Sequence, residues 1–168
     1  MKKLLLIIGM LLSINASALT FQAIEDGDIY GYFAGATAGY DSKLSLSVNG
    51  DFREPFIHDH LSVIGDQVNF GYAHAGDIIV FKLEVLTTGD TFYSTPSLNP
   101  DSLDHMRYAQ HDHFLFLGFE DLLGGGDLDF DDNNAFFTNI SAVPEPEPYM
   151  MFLVALLLIT LGMKREIS

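Results

Sequence analysis

The chain of 168 residues has no cysteine and no tryptophan. Without thiols there are no disulfides, no thiol nucleophile and no cysteine-ligated zinc. A small exported domain that lacks disulfides needs either a sufficient apolar core or another staple, and a bound ion is one such staple. Basic residues are also scarce: eight Lys and Arg stand against 23 Asp and Glu, for a formal net charge of −15. Lys2, Lys3, Lys164 and Arg165 sit near the two ends, so the middle keeps only Lys43, Arg53, Lys82 and Arg107. Phosphate contact needs clusters of such residues, so nucleic acid is not an expected partner. Cations are the natural partners of so acidic a surface. There is no Gly-x-Ser-x-Gly, no His-Glu-x-x-His and no Walker loop; the common sequence signatures of esterase, zincin and nucleotide chemistry are therefore missing.

What is present is apolar at both ends. Met1-Lys2-Lys3 is a basic start, Leu4 to Ile14 is apolar apart from Gly9 and Ser13, and Ala16-Ser17-Ala18 is a small-x-small site. Those are the three parts of a secretory signal peptide in their proper order. Cleavage by signal peptidase after Ala18 makes Leu19 the expected mature N-terminus. At the other end, Val143-Pro144-Glu145-Pro146-Glu147-Pro148 precedes fifteen uncharged residues, Tyr149 to Met163, and then Lys164-Arg165. Proline without a backbone donor favours an extended spacer. The apolar run is short for a ~30 Å hydrocarbon core, and its basic flank favours the cytoplasmic side. The body before it then lies outside the inner membrane.

The combination of Pro144-Glu145-Pro146, an apolar helix and Lys164-Arg165 resembles the PEP-CTERM sorting signal of Gram-negative bacteria. That resemblance implies processing by an exosortase near the Pro-Glu-Pro, with an inner-membrane intermediate. It also implies delivery to the cell surface or the extracellular matrix, in association with exopolysaccharide and biofilm. The expected organisation is a signal peptide at 1–18, a folded body at 19–142 and a sorting segment at 143–168.

The body is rich in aromatic residues, with 14 Phe and seven Tyr in the chain, which suits a β core. Leu44, Leu46 and Val48 alternate with serine, which predicts a half-buried strand, and Asn49-Gly50 then predicts a hairpin turn. Ile79, Phe81, Leu83 and Val85 alternate with Lys82 and Glu84, a second strand with one wet face. His113 to Phe119, apolar on both faces, predicts a central strand, and Ala135 to Ala142 a final one. Asp28 to Phe33 and Gln67 to Tyr72 are further strands, and residues 95–104 a surface loop. No stretch carries a helical stripe over three turns. The expectation is all-β: one β-sandwich or jelly-roll-like domain of about seven strands.

The densest chemistry lies in Glu120-Asp121-Leu-Leu-Gly124-Gly125-Gly126-Asp127-Leu128-Asp129-Phe130-Asp131-Asp132. Glycines permit sharp turns and a close approach to an ion. If the stretch is extended, Asp127, Asp129 and Asp131 share one side and Leu128 and Phe130 the other. Crowded carboxylates repel unless a cation lies among them, and hard oxygen donors suit Ca2+. Glu120, Asp121, Asp127, Asp129, Asp131 and Asp132 are the candidate ligands. An EF-hand is excluded, because counting from Asp127 puts Asp132 where that loop needs Gly and Thr138 where it needs Glu. The competing interpretation is a solvated acidic hairpin loop that holds no ion.

The elements Phe119-Glu120-Asp121, Gly125-Gly126-Asp127 and Asp129-Phe130-Asp131-Asp132, followed by Ala135-Phe136-Phe137, resemble a bacterial family known as domain of unknown function 4114. The resemblance implies an exported, surface- or adhesin-associated β domain and no established activity.

His58-Asp59-His60 and His111-Asp112-His113 repeat one pattern. On a strand, His-x-His puts both rings on one face, which is a way to bind a transition metal. Two neighbouring pairs would support a metal-dependent hydrolase of matrix carbohydrate, the alternative to a non-enzymatic exported protein with a calcium loop. Two polar strand ends, each with an Asp steadying a His, would give the same sequence. A polysaccharide-binding surface of exposed Tyr and Phe is compatible with the calcium loop.

Overall fold

The structure is a computed structural model that describes residues 19–143. The sequence expectations for the signal peptide, with Ala16 and Ala18, and for the sorting segment from Pro144 onward fall outside the described residues. Twelve strands follow in order: β1 Thr20–Ala23, β2 Gly27–Gly35, β3 Ser42–Val48, β4 Asp51–Phe52, β5 Ile57–His58, β6 Gln67–Ala73, β7 Ile78–Val85, β8 Thr91–Tyr93, β9 Met106–His111, β10 Phe114–Phe119, β11 Asn133–Phe137 and β12 Ile140–Val143. They build two antiparallel sheets, one ordered β12-β1-β7-β3-β4, with β5 on β3 and β8 on β7, the other ordered β6-β2-β11-β10-β9. The fold is a β-sandwich, as the strand pattern predicts. Among the described residues no helix is long and apolar enough to cross a membrane.

Alternation along the strands explains the packing. β7 buries Ile79, Phe81, Leu83 and Val85 while Lys82 and Glu84 face outward. From the other sheet come Ile29, Phe33, Phe70, Leu115, Leu117, Phe119 and Phe137, all buried. Phe81 of β7 meets Phe137 of β11 with ring centroids 4.8 Å apart, joining the layers. Each fully buried ring contributes roughly 1.5–3 kcal/mol relative to exposure. The whole described core and both sheets lie within Leu19–Val143, so this segment carries what it needs to fold alone.

Several sequence expectations are corrected. β3 is not half-buried: Ser45 and Ser47 are covered as well. Residues 51–58 fold back over that face, where Phe52 lies against Tyr93 and under the Lys82 ammonium, 4.7 Å from its ring centre. β10 lies between β9 and β11 but buries only one face, through Leu115, Leu117 and Phe119. Phe114 is exposed and, with Tyr32 and Phe136, lines an apolar recess of about 450 Å³ on the outer face. The stretch 135–142 is two strands rather than one, because Asn139 adopts φ 60° between β11 and β12 and sends the chain to the other sheet. Its side chain locks that crossing by accepting from Glu25 N and donating to Glu25 O.

Register places several loops at one end of the sandwich. Phe119 of β10 pairs with Asn133 of β11, and Asn134 pairs with Gly35 at the end of β2. The loops 36–41, 59–66 and 120–132 therefore emerge together.

Candidate cation site

Glu120 leaves the end of β10, where its backbone N–H donates to His105 O. Its side chain is fully buried. Oε1 accepts the Phe130 N–H at 2.8 Å, whereas Oε2 is buried with no hydrogen-bond partner. Asp127 and Asp129 bring their carboxylates to it, so that one oxygen from each of the three lies within 4.8 Å of the others. Asp121 and Asp132 line the same recess, of about 310 Å³, beside Thr37, Gly39 and Tyr40. Among the described residues no basic side chain lines it. Asp121 is 3% exposed, its Oδ2 has no partner, and its backbone N–H donates to Asp132 Oδ2.

The acidic stretch is not extended. Gly124, Gly125 and Gly126 all have positive φ, and so do Leu128 at 65° and Phe130 at 58°. For residues other than glycine this conformation costs about 1–2 kcal/mol each. The left-handed turns swing Asp127 and Asp129 inward together and leave Leu128 exposed, instead of anchoring it below. Phe130 is held by the Arg107 guanidinium, 4.1 Å above its ring, while Arg107 also donates to Asp104. Gly126 is required by space as well as by φ, because a β-carbon there would overlap Glu120 Oε2. Asp131 is not among the residues lining the recess; it accepts from Thr37 through both its carboxylate and its carbonyl, tying the loop 36–41 to the acidic loop.

The electrostatics follow from this crowding. Burial pushes the Glu120 carboxyl above its ordinary value, with Asp132, Asp127 and Asp129 adding to the rise. Asp121 is pushed up to about 7, first by burial and then by Asp132, Glu120 and Asp59. Asp129 and Asp132 are raised too, again chiefly by burial. Two like charges 4 Å apart repel by about 4 kcal/mol at an effective dielectric near 20. Such a cluster is relieved by protons or by a cation. The donors are all carboxylate oxygens, which suits Ca2+ rather than a nitrogen- or sulfur-seeking metal. Their irregular arrangement within one loop fits flexible six- to eight-oxygen coordination better than the strict octahedron of Mg2+.

Supporting residues come from far along the chain, which is why no local pattern marks them. His105, fully buried, stacks on Phe92 with centroids 3.8 Å apart. Its Nε2 meets Asp101 Oδ2 at 3.0 Å and its Nδ1 lies 3.3 Å from Glu120 O. Asp101 also accepts the Gly124 N–H, and that bond, then the Leu103 N–H and His105, hold its carboxyl well below the usual range. Buried Asn133 donates to Ser42 Oγ, which donates to Asp59.

The two histidine motifs are not brought together, and neither is a strand. β5 ends at His58, so Asp59 and His60 lie in a turn, while His111 closes β9 and His113 lies in the β9–β10 turn of the other sheet. Asp41, Asp59 and His60 do converge. Their polar atoms are already engaged, however. Asp59 accepts from Ser42 N, Ser42 Oγ and His60 N, and His58 Nδ1 lies 3.2 Å from it without hydrogen-bond alignment. His60 faces acceptors with both ring nitrogens, Asp41 Oδ1 at 2.7 Å and Ala38 O at 3.1 Å. Both nitrogens must donate, so the ring favours the imidazolium. Ala38 O, then Asp41, then Asp59 raise its pKa above 6.5. A raised histidine adds stability that is complete below pH 6.5 and lost as pH climbs through the folded-state value. The expected result is that the melting-temperature gap between wild type and His60→Ala narrows from pH 6 to pH 9. A gap independent of pH would refute the clamp.

Residues 65–136 match the family model of a domain of unknown function, DUF4114. The matched stretch holds β6 to β10, most of β11 and the acidic loop, but not the loop 36–41, whose Thr37, Gly39 and Tyr40 also line the recess. No curated protein and no solved structure matches the chain.

Proposed function

We propose that this is a non-enzymatic, exported protein of the cell surface or extracellular matrix whose Glu120–Asp132 loop binds calcium and so fastens one end of the sandwich. A single observation carries the calcium assignment: Glu120 is fully buried, its Oε2 has no partner, and its carboxylate converges with those of Asp127 and Asp129. Glu120, Asp127 and Asp129 would hold the ion, with Asp121 and Asp132 within the same recess. The ion would supply the positive charge that five carboxylates in one recess need. Export and exosortase processing at Pro144-Glu145-Pro146 rest on the two chain ends. Contact with exopolysaccharide is assigned to the outer aromatic face around Tyr32, Phe114 and Phe136.

Melting tests the calcium assignment. For Leu19–Val143 at pH 7.5, calcium at a hundred times its Kd adds about 2.7 kcal/mol, and excess chelator removes the gain. Identical melting curves in calcium and chelator would overturn it. Mass spectrometry of the protein recovered from the cell exterior tests the processing, with Leu19 expected as the first residue and the apolar tail missing.

A further inference from the structure

Between Leu19 and Val143 the chain keeps four basic residues, and three of them, Lys43, Arg53 and Lys82, line one pocket of about 290 Å³. It is bounded by β3, β7 and the segment 51–58 that folds back over them. Alternation along β3 turns Leu44 and Leu46 into the core, so Lys43 and Ser45 face the pocket. Ser45 is 3% exposed, yet its Oγ has no hydrogen-bond partner. Buried hydroxyls are normally paired, so this one points to a partner from outside the chain. Lys43 is the register partner of Glu84, but Glu84 is taken by Lys82, whose ammonium is 3.2 Å away. The Lys43 ammonium stands instead 4.2 Å from the Phe56 ring centre, with no ion pair among the described residues. A free cation beside an unanswered hydroxyl is unexpected on so acidic a molecule.

From this we infer that the pocket binds the carboxylate of a uronic-acid sugar. Charge is the first reason. Lys43, Arg53 and Lys82 against Glu54 and Glu84 leave one formal positive charge, which suits a carboxylate better than a phosphate dianion. Hydrogen bonding is the second. Lys43 and Ser45 donate to the carboxylate oxygens, while Glu54 and Glu84 accept from ring hydroxyls. Shape is the third: Phe52 and Phe56, both exposed, give the sugar's C–H groups apolar surface. An acidic peptide brings the charge without the hydroxyls, and a neutral sugar brings the hydroxyls without the charge. Arg53 donates to Tyr72 O of β6 and so fixes one wall. None of these residues lines the acidic recess or the recess at Tyr32, so the site is independent of the calcium assignment.

Leu19–Val143 in calcium-free buffer is titrated with trimers of galacturonate and of glucuronate, followed by calorimetry and amide NMR shifts. At least one trimer is expected to bind saturably, with shifts on β3, β7 and the segment 51–58. Methyl esterification of its carboxylates, or Lys43→Gln, is expected to weaken binding at least about tenfold, the value of one lost charge-assisted hydrogen bond. The ester control needs no altered protein. Ser45→Ala is expected to weaken binding while melting no lower than the parent, since it deletes a buried hydroxyl that nothing in the chain pairs. Failure of both trimers to bind at millimolar concentration overturns the site. So does binding that esterification, Lys43→Gln or Ser45→Ala leaves unchanged, or shifts confined to the face around Tyr32, Phe114 and Phe136. Triglutamate binding as tightly as the sugar would show a carboxylate held without sugar recognition and overturn the ligand assignment.

Discussion

Raising the pH from 5 to 8 without calcium is expected to lower the melting temperature of Leu19–Val143 by on the order of 10 °C. Asp121 is the main cause. Its carboxyl is held near 7 by burial and by Asp132, against an ordinary value of 3.8. An acid raised in the folded state lends stability that is complete below the unfolded value and lost as pH climbs through the folded one. The window therefore runs from about pH 4 to a little above 7. A displacement of that size corresponds to on the order of 4 kcal/mol once the group is ionised. Glu120, Asp129 and Asp132 shift in the same direction and add to the loss. Saturating calcium should abolish most of it, because the ion favours the ionised carboxylates that alkaline pH produces. Calcium binding should then release protons near pH 6, measurable as a buffer-dependent heat. Stability that rises between pH 5 and 8 in chelator would contradict the crowded cluster.

The second large effect is a reversal of sign. Glu120→Gln should raise the melting temperature in chelator at pH 8 and erase the response to calcium. The amide keeps an oxygen to accept the Phe130 N–H and removes a buried charge. It also turns the unpartnered Oε2 position into a donor, in a side chain that converges with the carboxylates of Asp127 and Asp129. A buried charge without a partner costs several kcal/mol even after relaxation, so its removal stabilises the metal-free protein by about 1–3 kcal/mol. Calcium affinity should fall at least about a hundredfold, since a buried charged ligand is lost. Were Glu120 a structural acceptor only, the variant would melt as wild type does and calcium would act on both proteins equally.

Sequence made the layers of this protein readable where side chains alternate against a core. Ile79 to Val85 and the Asn49-Gly50 turn were legible because their signals are local. The burial of β10 does not follow from its sequence, because Phe114 and Phe116 are apolar yet face outward, and composition alone carries no direction. The division of β11 from β12 was hidden because it depends on one left-handed asparagine whose partners, Glu25 and Gly27, lie more than a hundred residues earlier. The acidic loop was recognised as a cluster, but its convergence was not derivable from alternation. Left-handed Leu128 and Phe130 break the period of two, and the fully buried member, Glu120, lies outside the Asp-x-Asp-x-Asp run. Thr37 and His105 carry no sequence mark at all, since the fold alone brings them to the loop.

The most direct test is a crystal structure of Leu19–Val143 grown in calcium, with anomalous data collected at a wavelength where calcium scatters. A calcium centre requires one strong anomalous peak in the recess, roughly 2.3–2.6 Å from oxygens of Glu120, Asp127 and Asp129. Ordered carboxylates with no anomalous peak among them, in crystals bathed in calcium, would contradict it.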